Sequence, residues 1–269
     1  MTRRALVCGV NAYPTPATLS GCVNDAVAWS RALTGRGFVV DVMIDGDCTQ
    51  RAILGRLLDM VTQSKPGDVL AFVFSGHGTR LRDLNGDEQD GWDEALVPVD
   101  YQTGRFILDD DLRAVFSQLP AGVALTVIAD SCHSGTVARF ASMLPDGYPV
   151  EQRRTRTARF LPASRAVQEA HTLARASDAD RTFRVVGPDE VRWVTLSACQ
   201  PSEVAYESDG QGDFTRAALA VLGASGSRLT HAGFLRRVLE RLGDERAQTP
   251  HLDVPPGFER RTLVTRAKG

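Results

Sequence analysis

No pair of cysteines in this chain is spaced CxxC, and the five cysteines (Cys8, Cys22, Cys48, Cys132 and Cys199) are odd in number and far apart. That excludes a disulfide framework and a cysteine-rich zinc site, and it predicts a reducing, cytoplasmic setting. Long apolar runs are also missing. No window approaches the ~18 uninterrupted apolar residues of a membrane span. The apolar stretch after Met1–Arg4 is broken by Asn11 and Pro14, too early for a signal peptide. Net charge is only −2, so no general attraction to nucleic acid or to an anionic membrane is expected. Internal repeats are absent as well.

What is present is an alternation of strand and helix signals. Strands are expected at Ala5–Val10, Phe38–Ile44, Val69–Phe74, Val123–Ala129 and Val191–Ala198, with a last one at Arg261–Val264. Helices are expected at Asn24–Leu33, Thr49–Val61, Asp110–Leu119, Phe214–Leu222 and His231–Leu242, with Thr49 as an N-cap and Pro120 as a stop. Nearly all-apolar strands separated by helices predict an α/β fold, a mostly parallel sheet covered by helices on both faces. Two segments break the rhythm. Asp83–Asp111 is strongly acidic, and Ala138–Asp189 has weak periodicity and a basic cluster around Arg153, Arg154, Arg156, Arg159 and Arg165.

Two of the strands run into chemistry. Val69–Phe74 leads into Ser75-Gly76-His77-Gly78, and Val123–Ala129 leads into Asp130-Ser131-Cys132-His133-Ser134-Gly135. The carboxyl ends of parallel strands line the crevice where ligands bind. A histidine and a cysteine delivered to neighbouring strand ends form a thiol–imidazole nucleophilic pair. Cys132 is the expected nucleophile and His77 its base, later protonating the leaving amine. The backbone N–H groups of Gly78 and Cys132 are candidates for the oxyanion hole. Taken singly, Cys132 reads as a buried strand-end thiol and His77 as a turn residue; their paired placement favours catalysis. His133 is a rival base, but adjacent side chains on an extended segment point to opposite sides. Cys8, Cys199, Trp29 and Trp193 read as structural.

His77 in SGHG, Cys132 in DSCHSG and the segment Gly21-Cys22-Val23-Asn24-Asp25-Ala26 together resemble the metacaspase/orthocaspase branch of the caspase-like, C14-type cysteine peptidases. The likeness covers roughly Ala5–Gly135, while Leu196–Cys199 and Gly212–Thr215 resemble the family's smaller second half. It implies a caspase-like α/β/α sandwich and peptide-bond hydrolysis by a single domain, 1–269. Within that domain, 1–137 would be large-subunit-like, 138–189 a basic flexible linker and 190–269 small-subunit-like. It also implies that Cys22, Asp25, Ser75 and Asp130 line the pocket for the residue before the scissile bond. Two carboxylates there would hold a guanidinium or ammonium and repel aspartate, so cleavage is expected after Arg or Lys.

The acidic segment offers a second expectation. In calcium-activated metacaspases three ligand positions match Asp93, Asp109 and Asp110, but the fourth, seven residues past the nucleophile, is Arg139. Calcium is therefore the candidate cofactor, with no organic cofactor implied; the alternative is a solvated acidic hairpin leading into an Asp-rich helix N-terminus. Arg153, Arg154, Arg156 and Arg159 become candidate self-cleavage sites, or a pseudosubstrate over the cleft. Expected partners are protein or peptide substrates with Arg or Lys before the cut, without nucleic acid or membrane, and the chain is read as a monomer. A non-catalytic caspase-like binding module and another cysteine hydrolase, such as a thioesterase, remain as alternatives.

Overall fold

The computed structural model describes residues 1–86, 88, 90–132, 156–177, 192–225, 229–244, 246–255, 258 and 262. A six-stranded sheet forms its centre. Four strands named from the sequence lie side by side in parallel: β1 (Arg3–Gly9), β2 (Val39–Ile44), β3 (Val69–Ser75) and β7 (Ala124–Asp130). β9 (Trp193–Ser197) continues the parallel array beside β7, and β12 (His251–Asp253) closes that edge antiparallel. The order is β12-β9-β7-β3-β1-β2.

Among the described residues six helices cover the sheet and the surrounding loops: α1 (Cys22–Thr34), α2 (Gln50–Thr62), α3 (Asp109–Phe116), α4 (Arg165–Ser177), α5 (Asp213–Ala224) and α6 (His231–Leu242). The two faces of the sheet pack into two separate apolar clusters. Leu6, Cys8, Leu70, Phe72, Leu125 and Val127 meet α2 and α3 through Ile53, Leu57, Met60 and Phe116. Ala5, Val7, Ala71, Val73 and Ile128 meet α1, α5 and α6 through Trp29, Leu33, Phe214 and Phe234. Alternate residues of one strand feed opposite cores, which is why the central strands read as unbroken apolar runs. Helix α1 lies unusually close to β1. A Cβ at Gly9 would overlap the Cys22 carbonyl and sit 2.8 Å from Ala26 Cβ, so only glycine allows that approach.

Helix starts follow their caps. Thr49 Oγ1 accepts from the Ala52 N–H at the start of α2. Helix α3 ends at Phe116, earlier than expected, because Gln118 and Leu119 donate to carbonyls three residues back, a tighter turn than the α-helix.

The acidic segment is not one loop. β4 (Gly78–Arg82), β5 (Trp92–Leu96) and β6 (Ile107–Leu108) form a small antiparallel sheet through it. Residues 156–177, inside the stretch of weak periodicity, carry β8 (Thr157–Ala158) and helix α4. β8 joins β10 (Tyr206–Ser208) and β11 (Gln211–Gly212) in a third sheet, ordered β11-β10-β8. Among the described residues the last strand of the main sheet is β12; a further strand is expected at Arg261–Val264. Of that expected strand only Thr262 is among the described residues, where it bridges Thr230. Among the described residues no helix is long and apolar enough to cross a membrane.

Candidate active site

Ser75 ends β3 and Asp130 ends β7, and the two are paired in register. Two residues beyond each strand end come His77 and Cys132, both buried. The parallel pairing of β3 with β7 thus brings the two sequence motifs to one end of the sheet.

The His77 ring is held on several sides. Its Nε2 lies 2.6 Å from the Ala17 carbonyl, and its backbone N–H donates to the Tyr13 hydroxyl at 3.1 Å. The Tyr13 ring packs against it at 4.6 Å between centroids. A carbonyl only accepts, so the neutral ring carries its proton on Nε2 and leaves Nδ1 as the basic atom. Nδ1 is buried without a hydrogen-bond partner. Burial pushes the His77 pKa down to about 4, against the opposing pull of the Ala17 and Arg159 backbone carbonyls.

Cys132 Sγ donates to the Glu203 carbonyl at 2.9 Å. Cys199, expected to be structural, is buried beside it and shares that acceptor at 3.5 Å. Hydrogen bonding to Cys132, followed by burial, raises the Cys199 pKa well above its ordinary value.

A segment of the chain itself passes through this site. β8 pairs antiparallel with β10, and the Arg159 N–H donates to the Ala205 carbonyl at 2.9 Å. The Arg159 carbonyl then accepts from two N–H groups, Gly78 at 3.0 Å and Cys132 at 3.3 Å. Beyond it Phe160 is buried, and the Leu161 N–H donates to the Gly78 carbonyl at 2.9 Å.

The Arg159 side chain fills a closed acidic pocket (0% exposed), with Nη2 2.7 Å from Asp25 and 3.2 Å from Glu207, and Nη1 2.9 Å from Asp130 Oδ1. Ser75 Oγ accepts from Nη1 at 3.0 Å and donates to Asp25 at 2.8 Å. Burial alone would lower the Arg159 pKa; the surrounding Asp130, Asp25 and Glu207 carboxylates outweigh it and hold the guanidinium charged. Asp25 feels the reverse balance. Burial lifts its pKa to about 6, Arg159 pulls it down and Asp130 pushes it up.

The carboxylates are fixed from behind. The Gly212 N–H donates to Asp25 at 3.1 Å, and Thr215 gives Asp130 Oδ2 both its N–H, at 3.1 Å, and its hydroxyl, at 2.6 Å. Glu207 receives the N–H groups of Ser20 and Gly21 at 2.8 and 3.1 Å. Cys22 touches the pocket through Glu207, with Sγ 3.8 Å from Oε2, and burial raises its thiol pKa.

All four residues expected to line the pocket, Cys22, Asp25, Ser75 and Asp130, are therefore gathered in one place. Glu207 is a further pocket carboxylate that sequence reasoning missed. It sits in a three-residue strand with no periodicity to mark it, and only the β8–β10 pairing brings it to Arg159. Tyr13 and Ala17, which hold His77, lie in an irregular loop that carries no signal either.

The four basic candidates divide. Arg159 occupies the pocket, and Arg156 pairs through Nε with Asp213 at 3.0 Å. Arg153, Arg154, Arg139 and His133 lie outside the described residues.

The three acidic candidates cluster only loosely. Asp93 is buried on β5; Asp109 and Asp110 open α3. Asp110 accepts from Asn85 Nδ2 at 3.0 Å, and Asp109 pairs with Arg113 at 3.3 Å. Burial and the neighbouring Asp110 raise the Asp109 pKa to about 6, and its Oδ1 is buried without a hydrogen-bond partner. Hard carboxylate oxygens with an orphaned buried atom suit calcium, although among the described residues no three His, Cys, Asp or Glu side chains are gathered as a metal would need.

A family model described as the metacaspase, peptidase C14 domain matches residues 3–140, which include His77 and Cys132. Metacaspase-1 of Schizosaccharomyces pombe is 42% identical over 144 residues, 49% of this chain and 34% of that protein. Metacaspase-2 of Trypanosoma brucei brucei is 38% identical over 148 residues, 51% of this chain and 42% of that protein. The chain thus spans well under half the length of these curated relatives. The crystal structure of protein GSU0716 from Geobacter sulfurreducens superposes with a TM-score of 0.80 over 100% of both chains at 24% identity, a likeness of fold. With its strand order, its paired strand-end motifs and a family match over half its length, this chain belongs to the metacaspases, the peptidase C14 family.

Proposed function

We propose that this chain is a cysteine endopeptidase that cleaves after arginine, and by the same charge after lysine, with Cys132 as nucleophile and His77 as base. One observation carries the reading. Arg159 lies in the cleft as a substrate would, its guanidinium among three carboxylates and its carbonyl on two backbone N–H groups.

The chemistry follows from those positions. His77 Nδ1 takes the proton from Cys132 Sγ. A thiolate cannot donate to the Glu203 carbonyl, so that bond dissolves and the sulfur is free to add to the substrate carbonyl carbon. The oxygen gains the negative charge, and the Gly78 and Cys132 N–H groups stabilise it. His77 then passes its proton to the amide nitrogen, the C–N bond breaks and the amine leaves. Water, deprotonated by His77, adds to the thioester; the C–S bond breaks, and the carboxylic acid and the thiol are released. An aspartate before the cut would place a fourth carboxylate in the pocket and is rejected.

The same reading makes Arg159–Phe160 the self-cleavage bond, so the segment is first an occupant of the cleft and then a product. Calcium is the candidate cation, and Asp93, Asp109 and Asp110 would have to draw together to hold it; bound there, it would supply positive charge against their carboxylates.

The test is to incubate the purified protein with fluorogenic peptides ending in Arg, Lys or Asp, with calcium or a chelator, beside Cys132→Ala, and to map its own fragments by mass spectrometry. Cleavage after Arg and a cut at 159–160, both lost in the variant, are expected. Turnover of the Asp peptide, or activity that survives in Cys132→Ala, would refute the assignment. Equal rates with calcium and chelator would remove the calcium part alone.

A further inference from the structure

Two arginines of the bound segment are anchored, not one. Arg156 lies three residues before Arg159, and its Nε is 3.0 Å from Asp213 Oδ2. Both side chains are largely withdrawn from water, at 19% and 9% exposure, so water screens the pair less than it would at the surface. Between them the segment runs extended along β10, with Glu207 opposite Thr157 and Tyr206 opposite Ala158. Thr157 is exposed, and Ala158 is half-buried against the cluster that holds Phe214 and Val221. The extended backbone thus fixes the distance between the two anchors, and the residues between them contribute little that a different sequence could not.

Asp213 is positioned to receive a cation. It opens α5, where the helix dipole favours a negative charge. Ser208 Oγ donates to its Oδ1 at 2.6 Å, leaving Oδ2 for Arg156. Arg216 approaches the occupied Oδ1 from the same helix at 3.5 Å and is 43% exposed, so it neutralises the carboxylate only partly.

We propose that Asp213 is a second specificity determinant, so that the cleft selects substrates with arginine three residues before the cleaved arginine, an Arg-X-X-Arg sequence. The proposal rests on the peptidase reading above and adds the substrate class. Lysine is a poorer fit at the outer site. The contact there is made by the guanidinium Nε, which has no counterpart on a lysine stem.

The experiment compares fluorogenic Arg-Thr-Ala-Arg and Gln-Thr-Ala-Arg peptides on two proteins, Arg156→Ala with Arg159→Ala, and the same pair with Asp213→Asn added. Removing both anchors leaves the pocket and Asp213 free for added peptide. A charge-assisted hydrogen bond at the outer site predicts about a tenfold higher kcat/KM for the Arg-first peptide. The ratio should fall to about one in the Asp213→Asn protein. As a second measurement in the otherwise unaltered chain, Arg156→Gln should slow the cut at 159–160 by a similar factor. Equal turnover of the two peptides with Asp213 present would overturn the proposal and leave arginine-directed cleavage standing. A ratio that persists in Asp213→Asn would overturn the role of Asp213. Silence on both peptides, with an uncut Arg156→Gln chain and an uncut wild-type chain, would overturn the peptidase reading and this proposal with it.

Discussion

Arg159 Nη1 lies 2.9 Å from Asp130 Oδ1, and neither side chain is exposed to solvent. The two come from opposite sides of residues 133–155, and Asp130 also meets Thr215 in α5. One guanidinium therefore ties the end of β7 to α1 through Asp25, to β10 through Glu207 and, by way of Asp130, to α5.

Arg159→Ala should accordingly leave three carboxylates without their cation. Removing one partner of a buried charge pair costs about 3 kcal/mol or more. We expect that loss in denaturant unfolding of the Cys132→Ala chain, together with the disappearance of the 159–160 cut in the active chain. An unchanged unfolding midpoint would show that the guanidinium is not seated in the pocket in solution.

His77 sets a pH dependence whose sign is fixed by burial. Its folded pKa of about 4 lies below the ordinary 6.5, so between those values the unfolded chain binds a proton that the folded one does not. Its contribution to stability is thus intact above pH 6.5 and declines as pH falls toward 4. Relative to His77→Gln, the His77 chain should lose about 2 kcal/mol between pH 7.5 and pH 5. Asp25, raised to about 6, works in the opposite sense, and comparing the two chains, both carrying Cys132→Ala, cancels it. A difference independent of pH would mean that the imidazole is solvated.

Gly212 backs onto the pocket. A Cβ there would overlap Asp130 Oδ2 and stand 2.6 Å from Arg159 Nη1. Gly212→Ala should push the carboxylate off the guanidinium, cost about 1–3 kcal/mol of stability and raise KM for arginine peptides more than it lowers kcat. A crystal structure or peptide assay indistinguishable from wild type would contradict it.

The Tyr13 hydroxyl accepts from the His77 N–H and donates to the Val97 carbonyl at 2.8 Å. Tyr13→Phe leaves both groups buried and unpaired, at about 1–3 kcal/mol. Because it also frees the loop that carries His77, the proposed base, kcat should fall while KM for arginine peptides holds. Equal changes in both would place Tyr13 in binding instead.

Much of this is legible in the sequence. β1, β3 and β7 announce themselves because each feeds two cores at once and must be largely apolar, whereas β2, at the sheet edge and mostly exposed, is marked by its β-branched run. His77 and Cys132 are marked by the strands that precede them. Asp25, Ser75 and Asp130 follow from family likeness, and the tertiary structure gathers them where α1 meets the carboxyl ends of β3 and β7. By contrast β4, β5, β10 and β12 are short, carry charged or polar residues and owe their existence to partners distant in sequence. Helix α4 lay hidden in a segment whose only strong feature was its charge.

The sequence by itself determined the layered α/β fold and the paired strand-end motifs, since these depend on residue type and local period, while the acidic sign of the pocket followed from family likeness. Only the tertiary structure decided which of four arginines enters the pocket, that Glu207 joins Asp25 and Asp130 around it, and that Asp213 receives Arg156. Those choices hang on one antiparallel pairing, β8 with β10. No local propensity specifies a two-residue strand until the sheet edge beside it has formed.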